Sequence, residues 1–183
     1  MIEVLVSIVI LSFGMLGMVG LQAAALQTNR DARLQSTAIV LARELAEMLR
    51  GNKDIALLAS NNPYLVTTSH PLVAPTVSYC LAVGSTCGSK LEAGQAEMTD
   101  WLARVDAELP GAKVVVCRDT APYNTSGPAT GLPAWTCLPA GPADPIVIKI
   151  GWTRSSLKQA TAADTAASVP PSVILSVAPG YAL

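Results

Sequence analysis

Met1-Ile2-Glu3-Val4-Leu5-Val6-Ser7-Ile8-Val9-Ile10-Leu11 opens a run that holds one ionisable side chain, Glu3, and no other until Arg30. The run continues through Phe13, Met15, Leu16, Met18, Val19 and Leu21 to Ala23-Ala24-Ala25-Leu26. As a helix, the roughly 23 residues from Val4 reach about 34 Å, enough to cross a hydrocarbon core of about 30 Å. An ionised carboxylate at the edge of such a segment is costly without a partner. Glu3 is therefore the residue that an account of this end has to explain.

Beyond Leu26 the apolar pattern narrows to a stripe. Leu34, Ala38, Leu41, Leu45 and Met48 share one helical face, while Arg30, Arg33, Arg43, Glu47 and Arg50 charge the remainder. Gly51-Asn52 supplies a stop. The spacing predicts one helix from about Met1 to Arg50, roughly 75 Å long. Residues 1–26 form its apolar half, 27–50 its amphipathic half, and 51–183 a globular head. A stand-alone coiled coil would need a heptad stripe that extends further. Gly14, Gly17 and Gly20 recur inside the apolar run. They suit either close helix packing in a membrane or local melting, since glycine weakens a helix by about 1 kcal/mol.

The 183 residues carry 12 basic and 13 acidic side chains, a balance that gives no basic field for nucleic acid. The mean hydropathy of +0.43 is raised largely by the first 26 residues. Four cysteines without a CxxC pair, and the single His70, fit two disulfides in an oxidising compartment. The spacings do not suit zinc, and no cofactor is expected. Three connectivities are open. Cys80–Cys87 with Cys117–Cys137 is favoured, because each bridge then closes a loop bounded by turn residues. The chain-entropy relation gives such loops roughly 2.5 and 3.3 kcal/mol, which matters for a small head. A crossed pairing remains open.

The amino terminus admits three readings. Ala23-Ala24-Ala25 offers a signal-peptidase site, but the run is long and begins with an acid where a signal has basic residues. A single-pass anchor leaves Glu3 unexplained. The third reading is a resemblance: Ile2-Glu3-Val4-Leu5-Val6-Ser7 is similar to the start of the type IV pilins and related pseudopilins. Members of that family carry an acid in this place after a short basic leader ending in Gly. Met1 stands where the family has Leu. The resemblance implies that Glu3 pairs with the terminal amine of a neighbouring subunit. It also implies that a prepilin peptidase removes the leader and methylates the new terminus, a couple of residues upstream of Met1. Some family helices melt around the glycines during assembly; many relatives carry a Pro there, and this run has none.

In the head, Asn52–Thr76 reads as an irregular connector, followed by a short extended piece at Thr76–Cys80. A helix is predicted at about Ala93–Leu109, with Met98, Trp101, Leu102, Val105 and Leu109 buried and Pro110-Gly111 ending it. Strands are predicted at Lys113–Arg118, Ile146–Thr153 and Ser172–Ala178, the second with Ile146, Ile148, Ile150 and Trp152 on one face. Ala121–Pro145 reads as a Pro/Gly-rich loop too broken to be core, and Ser155–Ser168 as a mobile polar loop. The fold class is α+β: a long N-terminal helix packed on a small antiparallel sheet of three strands, with a disulfide-bonded head. Tyr79-Cys80, Cys87, Trp101-Leu102, Leu109-Pro110-Gly111, Val114-Val115-Val116 and Ile148-Lys149-Ile150-Gly151-Trp152 follow in an order that resembles the minor pilins of the PilV type.

No GxSxG, Walker A, HExxH or paired-acid motif is present. His70 lies between Ser69 and Pro71 in a loop, and Asp100, Asp106 and Glu108 read as exposed helix positions. No enzymatic activity is expected. The resemblance implies a structural minor pilin that primes assembly and sits at or near a fibre tip. Its implied partners are other minor pilins, the major pilin, the inner-membrane assembly machinery and prepilin peptidase. The head would face the periplasm before assembly and the cell exterior after it. A minor pseudopilin of a type II secretion system, or a signal-anchored periplasmic binding module using the Tyr123–Trp135 loop, are the alternatives.

Overall fold

The computed structural model describes residues 2–141, 143–153 and 170–180. The chain divides into two compact units, Met1–Leu34 and Gln35–Leu183. One helix, α1 (Ile2–Gly51), enters both. In the first unit every described residue up to Leu26 is exposed. This helix alone is long and apolar enough, by length and composition, to cross a membrane among the described residues. It therefore has the character of a membrane anchor or a signal segment.

The second unit is α+β. A single turn, α2 (Lys53–Ala56), precedes β1 (Val66–Ser69), α3 (Lys90–Glu108), β2 (Lys113–Arg118), β3 (Ile146–Gly151) and β4 (Val173–Val177). The four strands pair antiparallel in the order β1-β2-β3-β4. The fourth strand is a correction, because β1 lies in the stretch read as an irregular connector. Val66-Thr67-Thr68-Ser69 has one large apolar side chain, too few to show alternation; pairing with Val114–Val116 makes it a strand. Thr76–Cys80, expected to be extended, forms no strand. The Ser155–Ser168 segment lies outside the described residues.

The helix α3 starts at Lys90, three residues before the apolar periodicity begins. Ser89 caps it, its hydroxyl accepting from the Glu92 N–H at 3.1 Å. The Glu92 carboxylate accepts in return from the Gly88 N–H at 2.7 Å, a variant of the reciprocal capping box one residue upstream of the usual donor. Its stripe of Met98, Trp101, Leu102 and Val105 is buried, as are Ala38, Leu41, Ala42, Leu45, Ala46 and Leu49 of α1. The Trp101 indole N–H donates to the Leu41 carbonyl at 3.0 Å, joining the two helices inside the core. At the rim, Arg104 makes a two-pronged pair with Glu44 at 2.7 and 2.6 Å.

Strand β3 is buried on both sides. One face aligns Ile146, Ile148 and Ile150 with Val114, Val116, Val173 and Val177, all buried. The other carries Val147, Lys149 and Gly151, and it is covered by the segment read as a loop too broken to be core. That segment behaves as a lid. Trp135 lies over Gly151, so close that a Cβ there would sit 2.8 Å from the indole. Lys113 lies 4.6 Å from the Trp135 ring centroid, at cation–π distance. Only Ala134 is buried among the described residues of 120–145. Polar contacts, the Cys117–Cys137 bridge and the Trp135 contact hold the lid down.

Candidate functional site

Two regions of the chain carry features that packing alone does not account for. The first is the apolar half of α1. Glu3 stands in the first helical turn, where a negative charge meets the positive end of the helix dipole. Its own carbonyl accepts from the Ser7 hydroxyl at 2.7 Å, and its carboxylate forms no ion pair among the described residues. Gly14, Gly17 and Gly20 are exposed, and a Cβ built on any of them meets nothing within 4 Å. Nothing among the described residues requires glycine at these positions. The same holds for the exposed Val4, Leu5, Ile8, Ile10, Phe13, Leu16 and Leu21, a surface apolar all round that water does not favour.

The second region is the outer face of the sheet. The structure joins Cys80 to Cys87 and Cys117 to Cys137. Beneath the second bridge lies a pair that the sequence reading missed: Lys149 Nζ stands 2.5 Å from Asp119 Oδ2, both side chains fully buried. Lys149 also donates to the Thr136 carbonyl at 2.6 Å. The other oxygen of Asp119 accepts from the Ala121 and Leu138 N–H groups at 2.9 and 3.1 Å. Burial pushes the Asp119 carboxyl up. The hydrogen bonds from Lys149, Ala121 and Leu138, with the lysine charge, outweigh burial and hold it below the usual carboxylate range. One signal was available, a lone lysine within Ile146-Val147-Ile148-Lys149-Ile150, a strand otherwise fit for complete burial.

Cys117, Asp119 and Cys137 are also close enough together to suggest a metal site. With both sulfurs in a disulfide, no thiolate is available as a ligand. His70, half-exposed in its loop, pairs at Nδ1 with Asp106 Oδ1 at 2.7 Å, and the same oxygen accepts from the Leu72 N–H at 3.1 Å. Asp106 thus ties the loop after β1 to α3. On the other flank of α3, fully buried Tyr64 donates to Glu97 and accepts from Asn52. Burial first, then the bond to Glu97, raises the phenol well above its ordinary value, so it remains a donor.

The exposed stretches around the two disulfides are free of charged side chains. No Asp, Glu, Lys or Arg occurs in 71–89 or in 120–143. Val73, Val77, Tyr79, Leu81 and Val83 are exposed in the first, and Tyr123, Leu132 and Leu138 in the second. Comparison with protein-family models, with curated proteins and with solved structures gives no match.

Proposed function

We propose that the chain is a structural minor pilin of a type IV pilus, similar to the PilV type, that primes assembly and is incorporated at or near the fibre tip. The observation that carries this reading is the pairing of Glu3, in the first turn of α1, with an uncharged helix exposed on every side as far as Leu26. Such a helix finds its solvent first in lipid and then among copies of similar helices. An acid near its end then accepts only a neighbour that brings a positive group to it, because a carboxylate left unpaired in that setting is costly. On this reading Glu3 sets the axial register of subunits. Gly14, Gly17 and Gly20, which pack against nothing among the described residues, allow close approach or local melting. The later part of α1 carries the disulfide-bonded head, in keeping with a periplasmic and then extracellular position.

The test is the intact mass and N-terminal sequence of the native protein from membranes and from sheared fibres. A methylated terminus shortly upstream of Met1, in protein released with fibres, supports the reading. A terminus just after Ala25 means a cleaved signal and a soluble domain, and overturns it. Protein left behind in the membrane by shearing points to an anchored binding module. Co-isolation with a type II secretion complex instead of pili points to a pseudopilin.

A further inference from the structure

We propose that the Cys117–Cys137 bridge and the Lys149–Asp119 pair form a redox-controlled clasp, whose oxidation closes the 120–145 lid over the outer face of the sheet. The geometry concentrates the lid's attachments around the two cysteines. Asp119 lies two residues beyond Cys117, and the groups that ligate the ion pair from the lid, the Thr136 carbonyl and the Leu138 N–H, flank Cys137. On the sheet, Cys117 is the register partner of Val147, two positions along β3 from Lys149. All these attachments therefore share one short stretch of chain, which the disulfide holds against β2.

Further attachments lie where the lid rejoins β3, with the Asp119 N–H donating to the Pro145 carbonyl at 3.1 Å and Arg118 to the Asp144 carbonyl at 3.4 Å, and at Trp135, over which Lys113 lies. Ala134 is the lid's one buried residue among those described, and the contact of Trp135 with Gly151 is the other apolar anchor. The buried pair does not close the lid unaided. Removing two charges from water costs about as much as their attraction returns, so a solvated lysine and aspartate compete closely with the closed arrangement. The bridge tips that balance by removing the open lid's freedom. Closure is then a step of oxidative maturation. Two thiols give one disulfide, and the two electrons and two protons pass to the disulfide of a thiol–disulfide exchange partner, which leaves as a dithiol. The oxidised head displays Tyr123 and Leu132 on a fixed lid; the reduced head does not. The clasp is a property of the head and does not depend on the pilus reading.

The experiment uses the full chain in detergent, oxidised or treated with a dithiol reductant, with reduction of each cysteine followed by alkylation. Acetylation of lysines by an amine-reactive ester is read peptide by peptide, with exposed Lys90 as the reference. Reduction is expected to speed labelling of Lys149 at least about tenfold, with Lys90 unchanged and amide exchange in α3, β2 and β3 retained. The Cys80→Ser/Cys87→Ser variant, which keeps only the second bridge, should respond identically. Protection of Lys149 that survives verified reduction of Cys117–Cys137 would overturn the clasp. So would loss of amide protection across α3 and the whole sheet at the same time, because the lid would then not open as a unit.

Discussion

Lys149 brings a charge into the middle of a strand flanked by isoleucines, and Asp119 makes that tolerable by accepting from it while taking two backbone N–H bonds on its other oxygen. Replacing the acid alone leaves the ammonium buried without its counter-ion. Asp119→Asn is expected to destabilise the head by about 3–5 kcal/mol at neutral pH, measured by urea unfolding of the full chain in detergent. The pH dependence follows from the lowered carboxyl. Its contribution is complete above the ordinary aspartate value of about 3.9 and is lost as pH falls through the lower folded value. The acid limb of the stability profile should therefore be flatter in the variant; an unchanged limb would mean that Asp119 is not the group responsible. At Gly151 the constraint is steric. Gly151→Ala drives a methyl into Trp135 and is expected to cost about 1–3 kcal/mol by the same assay. At this scale the sequence was only half legible. Lys149 was visible as an oddity within a strand, but its partner lies 30 residues away, in a segment without periodicity.

Among the elements, those with a strong period were readable. The long α1, the stripe of α3 and the strands β2, β3 and β4 all follow from apolar spacing, and each is present. The elements that tertiary pairing creates were not. β1 owes its existence to the edge of β2, and the 120–145 lid owes its place to contacts made in three dimensions, the buried ion pair, the bridge and the Trp135 contact among them. The start of α3 was legible in principle, since Ser89-Lys90-Leu91-Glu92 spells a capping signature that the apolar pattern alone does not show. Ser89→Ala should lower stability by about 1 kcal/mol and raise amide exchange at Glu92 with the far end of α3 unaffected. Uniform exchange along α3 would show that the cap does not control that end.

For the whole molecule, one unit exposes an uncharged apolar helix and the other buries a core, and substitutions should separate them. Glu3→Ala is expected to leave the urea midpoint of the head unchanged while lowering recovery of the protein in sheared fibres. Normal incorporation would remove the register role from Glu3. The uncharged character of stretches 71–89 and 120–143 has a further consequence for how the head meets proteases. Trypsin requires Lys or Arg, and neither 71–89 nor 120–143 offers one. A trypsin-like enzyme therefore has no target within the exposed tips of 71–89 and 120–143, however mobile they become. After denaturation, the same digest keeps Cys80 and Cys87 together in peptide 54–90, whereas Cys117 and Cys137 fall in 114–118 and 119–149. One bridge is then silent in the peptide map, and the other appears as a cross-link that a reductant splits in two.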